Sequence, residues 1–117
     1  MLELSKELYQ LFSNLELFTS VVEKRIFPVV AGEGVLYPFS IYNIQQLPSS
    51  YDGDEFSVGL HTYFSPNKIS EAMGFIDSLR SYIGEEFIYE GSGIDFIEKD
   101  QSIVVSIYFK TIGYNGE

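Results

Sequence analysis

From Phe56 to Phe64 the chain alternates with a period of two: Phe56, Val58, Leu60, Thr62 and Phe64 are interleaved with Ser57, Gly59, His61 and Tyr63. Successive side chains of a strand point to opposite faces, so this segment predicts a strand with one core face and one mixed face. A strand of that kind requires a sheet around it and a second layer over its apolar side. Directly after it the period changes. Ile69, Ala72, Met73, Ile76, Leu79, Arg80 and Ile83 recur at helical spacing, which predicts an amphipathic helix with that stripe as its core face. Ser65 and Pro66 read as its cap and first residue, and Gly84 as its stop.

The remaining segments complete a sheet with two helical elements. Leu4, Leu8, Leu11 and Phe12 form one stripe, predicting an N-terminal helix that Asn14 closes. A short helical stretch is expected from Leu15 to about Glu23, and Pro28 ends any helix there while holding Phe27 extended. Ala31-Gly32-Glu33-Gly34 reads as a loop, Phe39 to Ile44 as a strand, and Leu47 to Asp54 as a second loop. Phe87 to Glu90 is expected to be a strand that bends or bulges at Gly91-Ser92-Gly93 and resumes from Ile94 to Glu98. Lys99-Asp100-Gln101 then turns a tight hairpin into a last strand, Ile103 to Phe109, and the tail from Gly113 reads as frayed. Helices do not alternate one-for-one with strands. The expectation is therefore a single α+β domain over residues 1–117, with a mostly antiparallel sheet of four to five strands packed against an N-terminal helix and one long amphipathic helix. At this length roughly 65% of the unfolded surface can be buried, enough for a core without staples.

Composition narrows the function classes. The chain has no cysteine, which excludes disulfides, thiol nucleophiles and thiolate metal sites. No positively charged stretch followed by an apolar run opens it, and its apolar runs are far shorter than the roughly 20 residues a membrane span needs. A cytoplasmic address with no membrane partner is expected. Seven basic residues stand against seventeen acidic ones, a net charge of −10. Phosphate backbones are bound by clustered Lys and Arg, and here only Lys24-Arg25 is a pair, so sequence-specific nucleic-acid binding is not expected.

The residue types that carry catalysis are sparse. His61 is the single histidine, and a lone imidazole makes neither a hydrolase triad nor an imidazole-rich metal site. Its place in the alternation predicts a partly exposed strand residue paired across the sheet. Asp52-Gly53-Asp54-Glu55 resembles a fragment of a calcium loop but lacks the ladder of ligands and the glutamate at the twelfth position. Gly91-Ser92-Gly93 lacks the lysine of a phosphate-cradling loop and the third glycine of a dinucleotide turn. No catalytic, cofactor-binding or metal-ligating residue is therefore expected, and the chain does not read as an enzyme.

What stands out is surface suited to partners. Tyrosines recur on polar segments (Tyr37, Tyr42, Tyr51, Tyr63, Tyr82, Tyr89, Tyr108 and Tyr114), and tyrosine is enriched at protein interfaces. The last strand is apolar on both faces, Val104 as well as Ile103 and Val105, so either a helix or another subunit is expected over its second face.

Arg25-Ile26-Phe27-Pro28 and Tyr37-Pro38-Phe39-Ser40-Ile41-Tyr42, set in this order of elements, resemble the tail-completion or tail-terminator proteins of long-tailed phages and prophages. The resemblance runs from about Leu4 to Ile112 and rests on element order, length and those two motifs. It implies a structural protein that assembles as a homo-oligomeric ring, commonly a hexamer, on the end of the tail tube, where it meets tail-tube and head-connector proteins. It implies a virion-tail location after assembly in the host cytoplasm. By position the loop from Leu47 to Glu55 would protrude, making Tyr51, Asp52, Asp54 and Glu55 the expected partner contacts. The acidic charge would suit a channel through which DNA slides without sticking. A head–tail connector component and a small cytosolic protein-binding or regulatory module are the alternatives.

Overall fold

In a computed structural model, which describes residues 2–23, 25–28, 37–46, 54–97, 99 and 101–113, five strands form one sheet with three helices against it. The elements are α1 (Leu2–Asn14), α2 (Glu16–Val22), β1 (Ile26–Pro28), β2 (Phe39–Gln46), β3 (Asp54–Phe64), α3 (Ile69–Glu86), β4 (Ile88–Ile97) and β5 (Ser102–Gly113). The strand order is β1-β2-β3-β5-β4, antiparallel at every pair except β1–β2, which is parallel. This is the expected α+β architecture. The expected loops at Ala31–Gly34 and over residues 47–53, Asp100 of the hairpin, and the tail from Tyr114 lie outside the described residues.

Alternation decides which side of the sheet is core. Phe56, Val58, Leu60, Thr62 and Phe64 of β3 and Ile103, Val105, Ile107 and Phe109 of β5 are buried on one face. Leu8 and Phe12 of α1, Phe18 and Val22 of α2, and Ala72, Phe75, Leu79 and Ile83 of α3 join them in a single cluster. Aromatic rings tie the layers together: Phe12 sits 5.2 Å from Phe18 and 6.4 Å from Phe109, and Phe75 bridges Phe18 and Phe64. Each such side chain contributes roughly 1.5–3 kcal/mol by leaving water. One polar pair lies within this layer. Ser40 and Thr62, opposite each other in the β2–β3 ladder and fully buried, share a hydrogen bond of 2.7 Å. Buried hydroxyls are tolerated when they satisfy one another in this way.

Several boundaries depart from expectation, each for a local reason. Helix α3 does not begin at Pro66. Asn67 adopts a left-handed conformation (φ 69°), which a helix cannot include, and the first turn starts after Lys68. Gly84 does not stop it: the helix continues to Glu86, where the Phe87 N–H closes onto the Ile83 carbonyl and the Phe87 ring packs 4.6 Å from that of Phe109. The core stripe of α3 is also rotated. Ala72, Phe75, Leu79 and Ile83 face the sheet and are buried, whereas Ile69 and Met73, expected in the core, lie off that face and are exposed.

Two further features place the edges of the sheet. The parallel strand β1 was not expected; it pairs Ile26, Phe27 and Pro28 with Ser40, Ile41 and Tyr42. Arg25 secures its start, donating from Nε to the Pro38 carbonyl at 2.9 Å and accepting the Ser40 N–H on its own carbonyl. At the opposite edge β4 carries the expected bulge, a register shift between Tyr89 and Gly91, with Gly91 at φ 145°, a backbone state that favours glycine.

Candidate interaction surfaces

The one histidine is held by its own sheet. His61, on the face of β3 away from the helices, lies opposite Ser106 of β5, and its Nδ1 is 2.7 Å from the Ser106 Oγ. The Tyr108 ring meets it edge-on at 5.7 Å. Gly59 makes room for both rings, since a Cβ there would stand 3.1 Å from the imidazole Nε2 and 3.3 Å from Tyr108. Burial alone pushes the imidazole below its ordinary value, favouring the neutral ring. Among the described residues no carboxylate hydrogen-bonds it, and no group of three or more His, Asp or Glu could hold a metal ion. The arrangement fixes a strand pair; it does not generate a nucleophile.

The four expected partner contacts divide. Tyr51 and Asp52 lie outside the described residues. Asp54 and Glu55 are the first two residues of β3, opposite Gly113 and Ile112, so the ladder takes in the last two residues of the expected loop.

Exposed apolar area is concentrated elsewhere. The side chains of β4 that face the helical layer run past the edge of α3: Ile94 pairs with Val105 and Phe96 with Ile103, yet Ile94 is 40% and Phe96 53% exposed. Ile69 and Met73 of α3 are 43% and 51% exposed. Ile69, Ile94 and Phe96 border a cavity of about 400 Å³ whose walls also include Pro66 and Ile103. Among the described residues no strand pairs with the outer side of β4.

A second apolar area lies on the other face. Tyr37, Phe39 and Tyr63 form a stack, with ring centroids 5.5 Å and 5.0 Å apart. Phe39 and Tyr63 are directly paired, Tyr63 faces Val104, and Val104 faces Asp95. Stack and groove therefore lie close to one row of the sheet but on its two faces, the stack over β2 and the central strand β3 and the groove beside edge strand β4. With strands about 4.8 Å apart, β2 and β4 are separated by roughly 14 Å along that row. Among the described residues no helix lies on the face that carries Val104, Tyr108 and the stack, since the buried residues of all three helices belong to the opposite layer.

The tyrosines stood out in the sequence, but the groove did not. Ile94 and Phe96 alternate as strand residues should, and nothing in their spacing tells that the covering helix stops short of them.

No family model matches this chain, and no curated protein matches it.

Proposed function

We propose that this chain is a structural assembly protein that joins copies of itself into a closed ring, in the role of the phage tail terminators its sequence resembles. The observation that carries the reading is a pair of unlike apolar patches on opposite faces of one sheet, the groove beside edge strand β4 and the stack of Tyr37, Phe39 and Tyr63 over β2 and β3. A closed ring is built from heterologous contacts, in which one patch of each copy meets a different patch of the next. A molecule that bound only as a two-fold dimer would need a single self-complementary patch.

Charge and chemistry support the same role. A net charge of −10 suits a collar around passing DNA, because like charge lowers affinity for phosphate. The imidazole is engaged with Ser106 and Tyr108, which leaves shape and apolar area as what the molecule offers a neighbour. Light scattering of the chromatographed protein over about a hundredfold range of concentration tests the reading, since assembly follows mass action. The expected result is conversion of the monomer into one species of fixed, higher mass. A monomer throughout, or a mass that grows without limit, refutes the ring.

A further inference from the structure

Among the described residues, β4 is the one sheet margin with a backbone run long enough for a further strand, since β1 has three residues and ends in Pro28. The bulge between Tyr89 and Gly91 limits the regular part of that run to residues 91–97. Which backbone groups face outward can be read from the hairpin. The Ile97 carbonyl accepts the Gln101 N–H at 2.8 Å, so the backbone groups of Ile97 turn toward β5. Inward and outward groups alternate along an antiparallel strand, so those of Phe96, Ile94 and Ser92 turn out. The Phe96 N–H agrees: it donates to the Asp95 Oδ1 at 2.7 Å. We propose that Asp95 is a guard residue, whose carboxylate caps this outward donor and keeps the margin of β4 from pairing with the same margin of a second copy.

Three observations support a guard at this place. First, the cap is particular to Asp95. The other carboxylate of the strand, Glu90, is turned over the sheet, with oxygens 3.3 Å from the Ser57 hydroxyl and 3.8 Å from the Lys110 ammonium. Second, the margin is of the kind that needs protection. Ile94 and Phe96 are exposed beside it, and apolar strands with open backbone groups recruit other strands. Third, the margin is complementary to itself. An antiparallel pair with its two-fold axis at Ile94 sets Ile94 against Ile94 and Ser92 against Phe96, matching outward groups with outward groups. It also sets Gly93 opposite Asp95, so no two carboxylates oppose one another. In that pair the Phe96 N–H would donate to the Ser92 carbonyl of the neighbour. The Asp95 oxygen already occupies the place that carbonyl would take.

The chain has no cysteine, so a single Ile94→Cys makes the pairing readable as a disulfide between copies. Residues opposite each other in a hydrogen-bonded antiparallel pair have Cα atoms about 5.5 Å apart, within the span of a disulfide. Ile94→Cys alone serves as the parent, and its rate of crosslinking in oxidised glutathione is compared with that after adding Asp95→Ala or Asp95→Asn. Both positions are exposed, so all three proteins are expected to fold, as far-ultraviolet circular dichroism would confirm. Asp95→Ala removes the cap and is expected to crosslink about tenfold faster than the parent, the low end of what losing a hydrogen bond to a charged group brings. Asp95→Asn keeps an oxygen at the cap without the charge, and is expected to stay as slow as the parent. A parent that crosslinks as fast as the alanine variant means that the margin is open with Asp95 in place, and the guard is refuted. Asparagine as fast as alanine means that charge repulsion keeps copies apart, and the cap is refuted. Neither result bears on the ring, which is tested by the mass of the cysteine-free protein.

Discussion

Replacing Thr62 by Val keeps the volume of the side chain and removes the hydroxyl hydrogen-bonded to Ser40. Both residues are fully buried on the helix side of β2 and β3, directly opposite one another and 2.7 Å apart. The Ser40 hydroxyl is then left in an apolar layer beside Ile26, its neighbour on β1. Leaving a buried hydroxyl unsatisfied costs about 1–3 kcal/mol, more than the net worth of the bond itself. For a domain of this size that is a fall in Tm of roughly 4–12 °C. Ser40→Ala strands the Thr62 hydroxyl and is expected to cost a similar amount. The double variant Ser40→Ala/Thr62→Val has no polar atom left to strand, so it is expected within about 1 kcal/mol of wild type. Urea unfolding of the four proteins gives the coupling directly. A double variant destabilised by the sum of the two single changes would falsify the claim that these hydroxyls depend on each other.

Two further outcomes follow from the sheet. Burial holds His61 below its ordinary value of 6.5, so below that pH the unfolded chain binds a proton that the folded chain resists. The contribution of the neutral ring is complete above 6.5 and is lost as the pH falls from there toward the lower folded value. His61→Gln should therefore lose less stability than wild type between about pH 7.5 and 5.5, read as urea midpoints, and a gap that does not change with pH counts against it. At Gly91 the backbone sits at φ 145°, where a Cβ is strained even though the space around it is open, so Gly91→Ala is expected to cost about 1–3 kcal/mol. An unchanged melting temperature would show that the bulge relaxes at no cost.

How much of this was legible in the sequence depends on whether the deciding interaction was local. The alternation of β3, the stripe of α1 and the glycine bulge of β4 are local patterns, and the fold class follows from their order. The ends of α3 were misread because their causes are not local. The Ser65-Pro66 start signal is overridden by the left-handed turn at Asn67. The stop at Gly84 costs only about 1 kcal/mol relative to alanine, less than burying Ile83 and seating Phe87 on Phe109 contributes. Strand β1 is too short to show a period; its place depends on Arg25 reaching Pro38. The exposure of Ile69, Met73, Ile94 and Phe96 follows from where one helix comes to rest on a sheet, and the same residues under a helix shifted by one strand would have been core. The last strand posed a choice between a covering helix and a covering subunit. Its two faces prove unlike, one under three helices and the other bearing partly buried Val104 and exposed Tyr108.

The three-residue strand that ends in Pro28 sets a limit on how copies of this molecule can adhere. A sheet that can be extended at both margins invites endless growth, each added chain locked by a run of backbone hydrogen bonds that rarely lets go. Here one margin is a strand of three residues that ends in a proline, which leaves few backbone donors and acceptors for another strand to pair with.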